Sequence, residues 1–321
     1  MNRLVRLTDS DRARKTFYPT PEKLAEKLLG GLKWEMIESV LEPSAGKGDL
    51  ARYVAGRLYY SRHRYPAHDS HTWDEAIKEA DIDCVEIDST LRNVLDGDGF
   101  RVVHDDFLTY ETQKRYGLVV MNPPFDNGAA HLLKALELMK RGGIVCCILN
   151  AETLRNSYTE QRKELAAKLK AYGADIEFVS GAFSQAERRT DVDAALIRVV
   201  IPAAKVDSTI VDDMRKAPTY KTQTVPSELT ELVQYNVIEE WVNRYNFEAA
   251  CGIRLIEEYD AMREMLKNDV DSKFSTTILE LQINVGGRTR EAVINSYLKQ
   301  TRGKYWRAIF QQPVIEVAVY D

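Results

Sequence analysis

The sequence has no apolar run long enough to cross a membrane, since a spanning helix needs roughly 18 or more consecutive apolar residues. It begins MNRLVRLTDSDRARKTF, which lacks the apolar core of a signal peptide, and we therefore expect a cytoplasmic location and no membrane partner. Only four cysteines occur among 321 residues, and none of their spacings is typical of a metal site. These absences predict reduced core thiols and no bound metal.

An excess of positive charge is also absent. The formal net charge of −5 argues against a protein that coats nucleic acid without specificity. Two local stretches are nevertheless basic: the first 33 residues carry eight Lys and Arg against four acids, and RLYYSRHRY occupies residues 57–65. Such stretches form either a basic groove or ordinary solvated faces, and the sequence leaves both interpretations open.

What the chain does contain is a regular alternation of short apolar runs and helical patterns. The predicted strands are 40–41, 82–87, 101–104, 118–121, 144–149, 176–179 and 194–201. The predicted helices are 21–32, with Thr20 as its cap, then 50–60, 90–95, 130–140 and 159–172. This alternation predicts an α/β fold in which βαβ crossovers build a mainly parallel seven-stranded sheet, covered on both faces.

The pattern changes after residue 201. Residues 202–226 are polar and predict a linker or surface excursion, and three long helical patterns follow at 229–245, 248–266 and 288–310. We therefore predict two domains, 1–204 with the sheet and 205–321 rich in α-helix. The sequence stops abruptly after QQPVIEVAVYD, and we expect further sequence to follow.

A strand, an acid and a glycine turn follow one another in VLEPSAGKGDL, residues 40–50. Gly46 and Gly48 would open the next helix, where glycine lets the backbone approach a ligand and the helix terminus offers free N–H groups. The pattern is similar to a dinucleotide fingerprint, but Glu42 at the strand end would repel a pyrophosphate. The cationic amino acid group of S-adenosylmethionine suits that carboxylate better.

Acids also follow the next two predicted strands. Glu86 ends IDCVEID, where a carboxylate suits two ribose hydroxyls, and its distance of 40 residues from Gly46 predicts an insertion at about 62–79. Asp106 in HDDFL is placed to accept the amino group of an adenine ring on which Phe107 could stack. Taken alone, that pair of aspartates is equally typical of a helix cap.

The stretch LVVMNPPFDNG, residues 118–128, sends an apolar strand straight into Asn122, Pro123, Pro124 and Phe125. Neither proline can donate to a sheet ladder, and both have a fixed φ, so the strand must end in a stiff extended loop. The carboxyl ends of strands are where ligands bind in open α/β sheets. We therefore predict a functional loop here.

Five motifs in this order, TP at residues 20–21, EPSAGKG, VEID, DDF and NPPF, resemble those of S-adenosylmethionine-dependent DNA methyltransferases of the adenine-N6 class, of phage or bacterial type. The resemblance covers about residues 17–201. It implies a Rossmann-like class I methyltransferase fold, S-adenosylmethionine as cofactor, and DNA as partner in preference to RNA. It also implies that the target base is turned out of the helix.

The resemblance further implies a role for each matched residue. The residues implied in cofactor binding are Thr20, Glu42, Ser44, Ala45, Gly46, Gly48, Glu86, Ile87, Asp106, Phe107 and Asn122. The residues implied in catalysis are Asn122, Pro123, Pro124 and Phe125. Phe125 and, by a looser match, Phe183 would stack on the base, although Phe183 is also interpretable as a plain core residue.

The chemistry of an aromatic amino group explains the choice of residues in the loop. The lone pair of adenine N6 is delocalised into the ring, which makes the nitrogen a poor nucleophile. The side-chain oxygen of Asn122 and the carbonyl of Pro123 could each accept one N6 hydrogen. They would favour a pyramidal nitrogen and stabilise the positive charge that grows on it in the transition state.

Three alternatives to DNA methylation stay open at this point. RNA adenine and the protein glutamine side chain present the same planar NH₂ group, and a catalytically silent binding module would keep the fold alone. The region after residue 204 occupies the place where such enzymes carry substrate recognition, but it has no decodable motif. Its TRGKYWRAIF, residues 301–310, is basic and aromatic, which is typical of either nucleic-acid contact or a packed amphipathic helix. Neither recognition sequence nor oligomeric state is readable.

Overall fold

The computed structural model describes residues 19–156, 158–183, 192–203, 237–266 and 289–310. The described residues fall into two compact units. One contains residues 19–112 and 116–203, and the other contains residues 113–115 and the described residues from 237 onward. The predicted linker at 202–226 and the basic N-terminal arm lie largely outside the described residues, as does the end of the chain.

Within the described part of the first unit, seven strands form one sheet in the order β3-β2-β1-β4-β5-β7-β6. Their bounds are β1 Val40–Glu42, β2 Ile82–Val85, β3 Arg101–His104, β4 Leu118–Met121, β5 Gly143–Asn150, β6 Asp175–Val179 and β7 Ala194–Ile201. Strand β7 runs antiparallel to β5 and β6, and every other neighbouring pair is parallel. The predicted mainly parallel seven-stranded sheet is therefore confirmed.

One helix of this unit precedes β1, as predicted, and the others lie between strands along the chain. The helices are α1 Glu22–Leu29, α2 Asp49–His63, α3 Ser70–Glu79, α4 Ser89–Gly97, α5 Gly128–Leu138, α6 Glu152–Arg155 and α7 Glu160–Ala171. The prediction that Thr20 caps α1 is wrong. Pro21 is the residue at the N-cap position, so Thr20 lies one residue too early to cap the first-turn amides. No side chain among the described residues caps this helix.

Both faces of the sheet are covered by helices. Along β4, Leu118 and Val120 pack in one hydrophobic cluster while Val119 and Met121 pack in another, as expected for successive side chains that point to opposite faces. Helices α1 and α2 contribute to the first cluster, and α5 and α7 to the second. All four side chains of β4 are fully buried, which fixes the position of the loop that follows.

The predicted insertion at 62–79 contains an ordered helix. Asp69 begins α3 with a capping box, in which its side chain accepts from the amide of Thr72 at 2.8 Å. Helix α3 packs on α2 at Gly56, where a Cβ atom would come within 2.9 Å of the Trp73 ring. The crossover from β1 to β2 therefore consists of two packed helices.

The second unit contains a helical hairpin. Helix α8 Val237–Leu266 and helix α9 Arg290–Phe310 run antiparallel, because Glu248 meets Lys304 while Asp260 meets Arg290. The α-rich character predicted for this region is confirmed, but the predicted break between residues 245 and 248 is wrong. No glycine or proline interrupts the chain there, so nothing prevents the helix from continuing.

Among the helices that the structure describes, none is both long and apolar enough to cross a membrane.

Candidate active site

Four predicted site residues follow four adjacent strands along one edge of the sheet. Glu42 ends β1, Glu86 directly follows β2, Asp106 lies two residues beyond β3, and Asn122 directly follows β4. Strand β1 is flanked by β2 and β4, so the chain order reverses between β1 and β4. Open α/β sheets bind ligands in the crevice at such a reversal. The fold therefore places Glu42 and Asn122 on either side of the expected crevice.

The turn after β1 depends on two glycines in the left-handed region. Gly46 has φ 57° and Gly48 has φ 88°, values that other residues adopt at a cost of about 1–2 kcal/mol. A Cβ atom at Gly48 would also lie 2.9 Å from Leu95. The amide of Ala45 donates to the carbonyl of Val85 at 3.0 Å, which ties the turn to β2. In the same turn, the Ser44 hydroxyl donates to the carbonyl of its neighbour Pro43.

Glu42 is a buried carboxylate with an unpartnered oxygen. Among the residues that the structure describes, none forms a hydrogen bond with its Oε2 atom, whereas the amide of Ala51 in the first turn of α2 donates to the carboxylate. Burial raises the pKa of Glu42 well above its ordinary value, and the charges of Asp49 and Glu86 raise it further. Leaving such an oxygen unpaired costs free energy. The position therefore suits a ligand with a cationic or hydrogen-donating group.

Glu86 holds the glycine turn and the start of the next helix together. Its Oε2 accepts from the amide of Gly46 at 2.7 Å and its Oε1 from the amide of Asp88 at 2.8 Å. Burial raises the pKa of Glu86, while these two amides act in the opposite direction. The amide of Ile87 also interacts with this carboxylate. Because a carboxylate has about four acceptor sites, Glu86 retains capacity for a further donor, such as a hydroxyl.

The backbone after Glu86 is fixed by Arg92, which sequence reasoning missed. The guanidinium of Arg92 donates to the carbonyls of Glu86 and Ile87 at 2.9 and 2.8 Å. The side chain of Ile87 is 42% exposed although it is apolar. It therefore offers an exposed apolar surface next to Glu86.

Asp106 and Phe107 were predicted to contact an adenine ring, but Asp106 is half-buried and Phe107 is buried. Asp106 accepts from the amide of Leu108 at 2.8 Å, in a turn directly after β3. Phe107 is buried in the second hydrophobic cluster, and its ring centroid lies 5.8 Å from that of His131. A ring stacked on the face of Phe107 would need it to be more accessible than it is here.

His131 on α5 is a second residue that sequence reasoning missed. Its Nδ1 lies 3.0 Å from the carbonyl of Asn127, and because a carbonyl can only accept, Nδ1 carries the proton. Burial lowers the pKa of His131, which favours the neutral ring and leaves Nε2 as an acceptor. Only the spacing of four residues between Asn127 and His131 on one helix signalled this contact in the sequence.

The Asn-Pro-Pro-Phe loop is held by a contact that spans 102 residues. Nδ2 of Asn122 donates to the hydroxyl of Thr20 at 3.0 Å, which turns the amide so that its oxygen faces the other way. The amide of Asn127 donates to the carbonyl of Pro124 and closes the loop. Among the residues that the structure describes, none donates to the carbonyl of Pro123.

Phe125 and Phe183, the two predicted stacking residues, are in contact with each other. Their ring centroids are 5.5 Å apart in an edge-to-face arrangement, and Phe183 is fully buried. A base between two parallel rings needs about 7 Å, twice the ~3.5 Å contact distance of carbon atoms. In this arrangement Phe183 supports Phe125 from the core, and the stacking role predicted for Phe183 requires it to leave this position.

Within the described ranges, no cluster of three or more His, Cys, Asp or Glu side chains is arranged to hold a metal ion. The site therefore consists of carboxylates, one amide, backbone groups and aromatic rings.

Comparisons with known proteins give structural neighbours only. No family model matches the sequence, and no curated protein matches it. The chain is similar to a modification subunit of a putative type I restriction enzyme from Vibrio vulnificus YJ016, at 17% identity and a TM-score of 0.42 over 59% of this chain and 46% of that one. The chain is also similar to the EcoKI M protein, a type I restriction enzyme, at 16% identity and a TM-score of 0.43 over 56% of this chain and 43% of that one.

The 23S rRNA methyltransferase ErmE is a third neighbour, at 19% identity and a TM-score of 0.41 over 62% of this chain and 76% of that one. The chain covers less than half of the length of both modification subunits.

Proposed function

We propose that this chain transfers a methyl group from S-adenosylmethionine to the exocyclic N6 of adenine in DNA, on a base turned out of the helix. One observation carries the proposal. The Asn122 amide, oriented by Thr20, lies at the reversal point of the sheet together with the unpartnered oxygen of Glu42. A site for a cation and a site for an amino group thus flank one crevice.

The acidic half of the crevice suits S-adenosylmethionine, which supplies an electrophilic methyl group attached to a sulfonium. Glu42 would pair with its ammonium group, and Glu86 would accept from the ribose hydroxyls with its remaining capacity. Two neighbouring buried carboxylates would repel a pyrophosphate. Asp106 and the exposed Ile87 would contact the adenine end.

Asn122 and Pro123 would act on the amino group that is methylated. Two acceptors, the Asn122 amide oxygen and the Pro123 carbonyl, would each take one N6 hydrogen and draw the lone pair out of conjugation with the ring. Pro123 is buried and Pro124 follows it, so the carbonyl is held on a stiff backbone. The acceptors are therefore in place before positive charge develops on N6.

The domain assignment forms part of the same proposal. Residues 1–204 would carry the methyl transfer, and residues 205–321 would contribute to substrate recognition.

The test is incubation of the protein with methyl-labelled cofactor and, separately, duplex DNA, RNA and protein extract, followed by nucleoside and amino acid analysis. We expect label in DNA as N6-methyladenine. Label in RNA adenine or in glutamine would mean that this group, and not DNA adenine, is the substrate of the same methyl transfer. Labelling of none of the three pools, in a preparation that binds the cofactor, would leave the silent binding module as the function.

Thr20 is expected to act through Asn122. Thr20→Val removes the hydroxyl at nearly constant volume and releases the amide, so we expect the transfer rate to fall about 3–10-fold, the equivalent of one neutral hydrogen bond. Thr20→Ser keeps the hydroxyl and should restore most of the rate. The measurement is kcat with KM for DNA for all three proteins. Equal kcat values for the Val and Ser variants would remove this positioning role.

Phe125 is expected to hold the extruded base. Phe125→Ala should weaken capture of the base by about 10–100-fold, the range of one base–aromatic stack. A mismatch opposite the target adenine lowers the cost of extrusion and should restore part of the loss. Phe178→Ala serves as the matched control, since Phe178 is 48% exposed on β6. No difference between matched and mismatched duplexes would contradict a stacking role.

A further inference from the structure

The last part of α9 concentrates positive charge in an acidic chain. Residues 299–310 contain four Lys and Arg and no Asp or Glu, whereas the whole chain has a net charge of −5. One of the four is already engaged, because Lys304 binds the carboxylate of Glu248 at 2.8 Å. Lys299 and Arg302 have no ion pair among the described residues. Within the part of the chain that the structure describes, both side chains are exposed to solvent.

These cations share one exposed face of the helix with two aromatic rings. Lys299, Arg302, Trp306 and Phe310 recur at spacings of three and four residues, which places them along one side of α9. Trp306 and Phe310 are 52% and 58% exposed, and their rings stack on each other at 5.6 Å. We call these four residues, with Arg307 on their flank, the α9 stripe.

The opposite face of α9 is already occupied. Ile294 and Leu298 are buried against α8, where they pack on Ala249, Ile253 and Ile256. The exposed rings are therefore not needed for the packing of the two helices. A membrane-surface helix would instead keep one continuous apolar face for the lipid, whereas the stripe has two cations followed by two rings, with Arg307 beside the rings.

We propose that the α9 stripe docks on duplex DNA, with Lys299, Arg302 and Arg307 on backbone phosphates and the two rings against base edges. The proposal rests on the proposed function in taking DNA as the substrate. The stripe is about 16 Å long at 1.5 Å per residue, and a helix of ordinary diameter fits the major groove of B-form DNA. The deep, narrow major groove of duplex RNA does not admit it.

The test measures binding of a short labelled DNA duplex, without cofactor, at salt concentrations from about 50 to 200 mM. The triple variant Lys299→Gln, Arg302→Gln, Arg307→Gln should lower the slope of log affinity against log salt by about 2.7, or 0.9 for each of three phosphates. Affinity near 100 mM salt should fall by roughly 10²-fold. The double variant Trp306→Ala, Phe310→Ala should lose about 10-fold without a change in slope.

Two matched controls are available. The first control replaces Lys140, Lys168 and Lys170 by Gln, which removes as much positive charge as the triple variant of the stripe. These residues precede β5 and β6, at the ends of the strands opposite to the candidate active site. Phe247→Ala removes another exposed ring of the second unit. Circular dichroism establishes that every variant keeps its helices. Equal losses in the stripe and control variants would overturn the proposal, as would a loss of binding to anionic vesicles or duplex RNA but not to DNA.

Failure of the docking proposal is distinguishable from failure of the proposed function. A wild-type protein that methylates DNA, with stripe variants that bind DNA like the wild type, would overturn the docking proposal alone. A wild-type protein that transfers no methyl group but binds duplex DNA through the stripe would overturn the proposed function alone.

Discussion

The Asn122→Ala variant is expected to transfer a methyl group about 10²–10³ times more slowly than the wild type in a single turnover, by analogy with the loss of one preorganised oxyanion donor. Pro123 keeps its carbonyl and the stiffness of the loop, so one of the two acceptors remains. The lost interaction is strongest with charge that develops only in the transition state. The effect should therefore fall on the chemical step and leave cofactor affinity nearly unchanged.

The measurement is a rapid-quench single turnover at saturating protein, with cofactor affinity determined by calorimetry on the same preparations. Asn127→Ala is the matched control, because Asn127 lies in the same loop but its side chain makes no capping hydrogen bond. We expect this control to retain most of the wild-type rate. A fully active Asn122→Ala protein would mean that the Asn-Pro-Pro-Phe loop is not the active site.

The Glu42→Gln variant is expected to have effects of opposite sign on binding and on stability. Removing one member of a buried charge pair typically costs about 2–5 kcal/mol, so cofactor affinity should fall by about 10²–10³-fold. The cofactor-free protein should become more stable at neutral pH, because the variant no longer buries a carboxylate whose Oε2 lacks a partner among the described residues.

The pH dependence follows from the raised pKa of Glu42. A carboxyl group whose folded-state pKa is raised contributes stability below its unfolded pKa and loses it as the pH rises through the folded value. As the pH rises from the unfolded-state pKa to the folded-state pKa of Glu42, the free energy of unfolding of the wild type should therefore decline relative to that of Glu42→Gln. A cation lowers the pKa of Glu42, so cofactor binding should release protons and tighten as the pH rises toward neutrality.

Calorimetry in buffers of different ionisation enthalpy measures the proton release, and thermal unfolding across the pH range measures the stability. Glu35→Gln is the control, since Glu35 is exposed and has no resolved interaction in the described residues. This control should change neither the proton release on cofactor binding nor the thermal stability. Unchanged cofactor affinity in the folded Glu42→Gln protein would remove Glu42 from the proposed cofactor site.

Most of the strands were predictable from the sequence because they are short apolar runs between turn residues. In β4 all four residues are buried on two faces, and such a strand appears in a sequence as an uninterrupted apolar stretch. The order of glycines, acids and prolines after the runs likewise predicted which strand ends carry polar groups. Parallel pairing then places those ends at one edge.

The contacts between the side chains were not predictable. Thr20 looked like a helix cap because caps are local, whereas its observed partner Asn122 lies 102 residues away. The same limit applies to Oε2 of Glu42, whose lack of a partner depends on every element that surrounds it. His131 was overlooked because a single histidine in a helical pattern carries no periodic signal.

The reversal of chain order between β1 and β4 has a consequence for synthesis on the ribosome. A nascent chain that stops before residue 118 already contains Glu42, Glu86 and Asp106, but β4, one of the two neighbours of β1, is missing. Strand β1 would then be an edge with unpaired backbone groups, prone to pairing with other chains. Cofactor present during translation would favour folding only by binding the folded state, and therefore only after β4 had emerged.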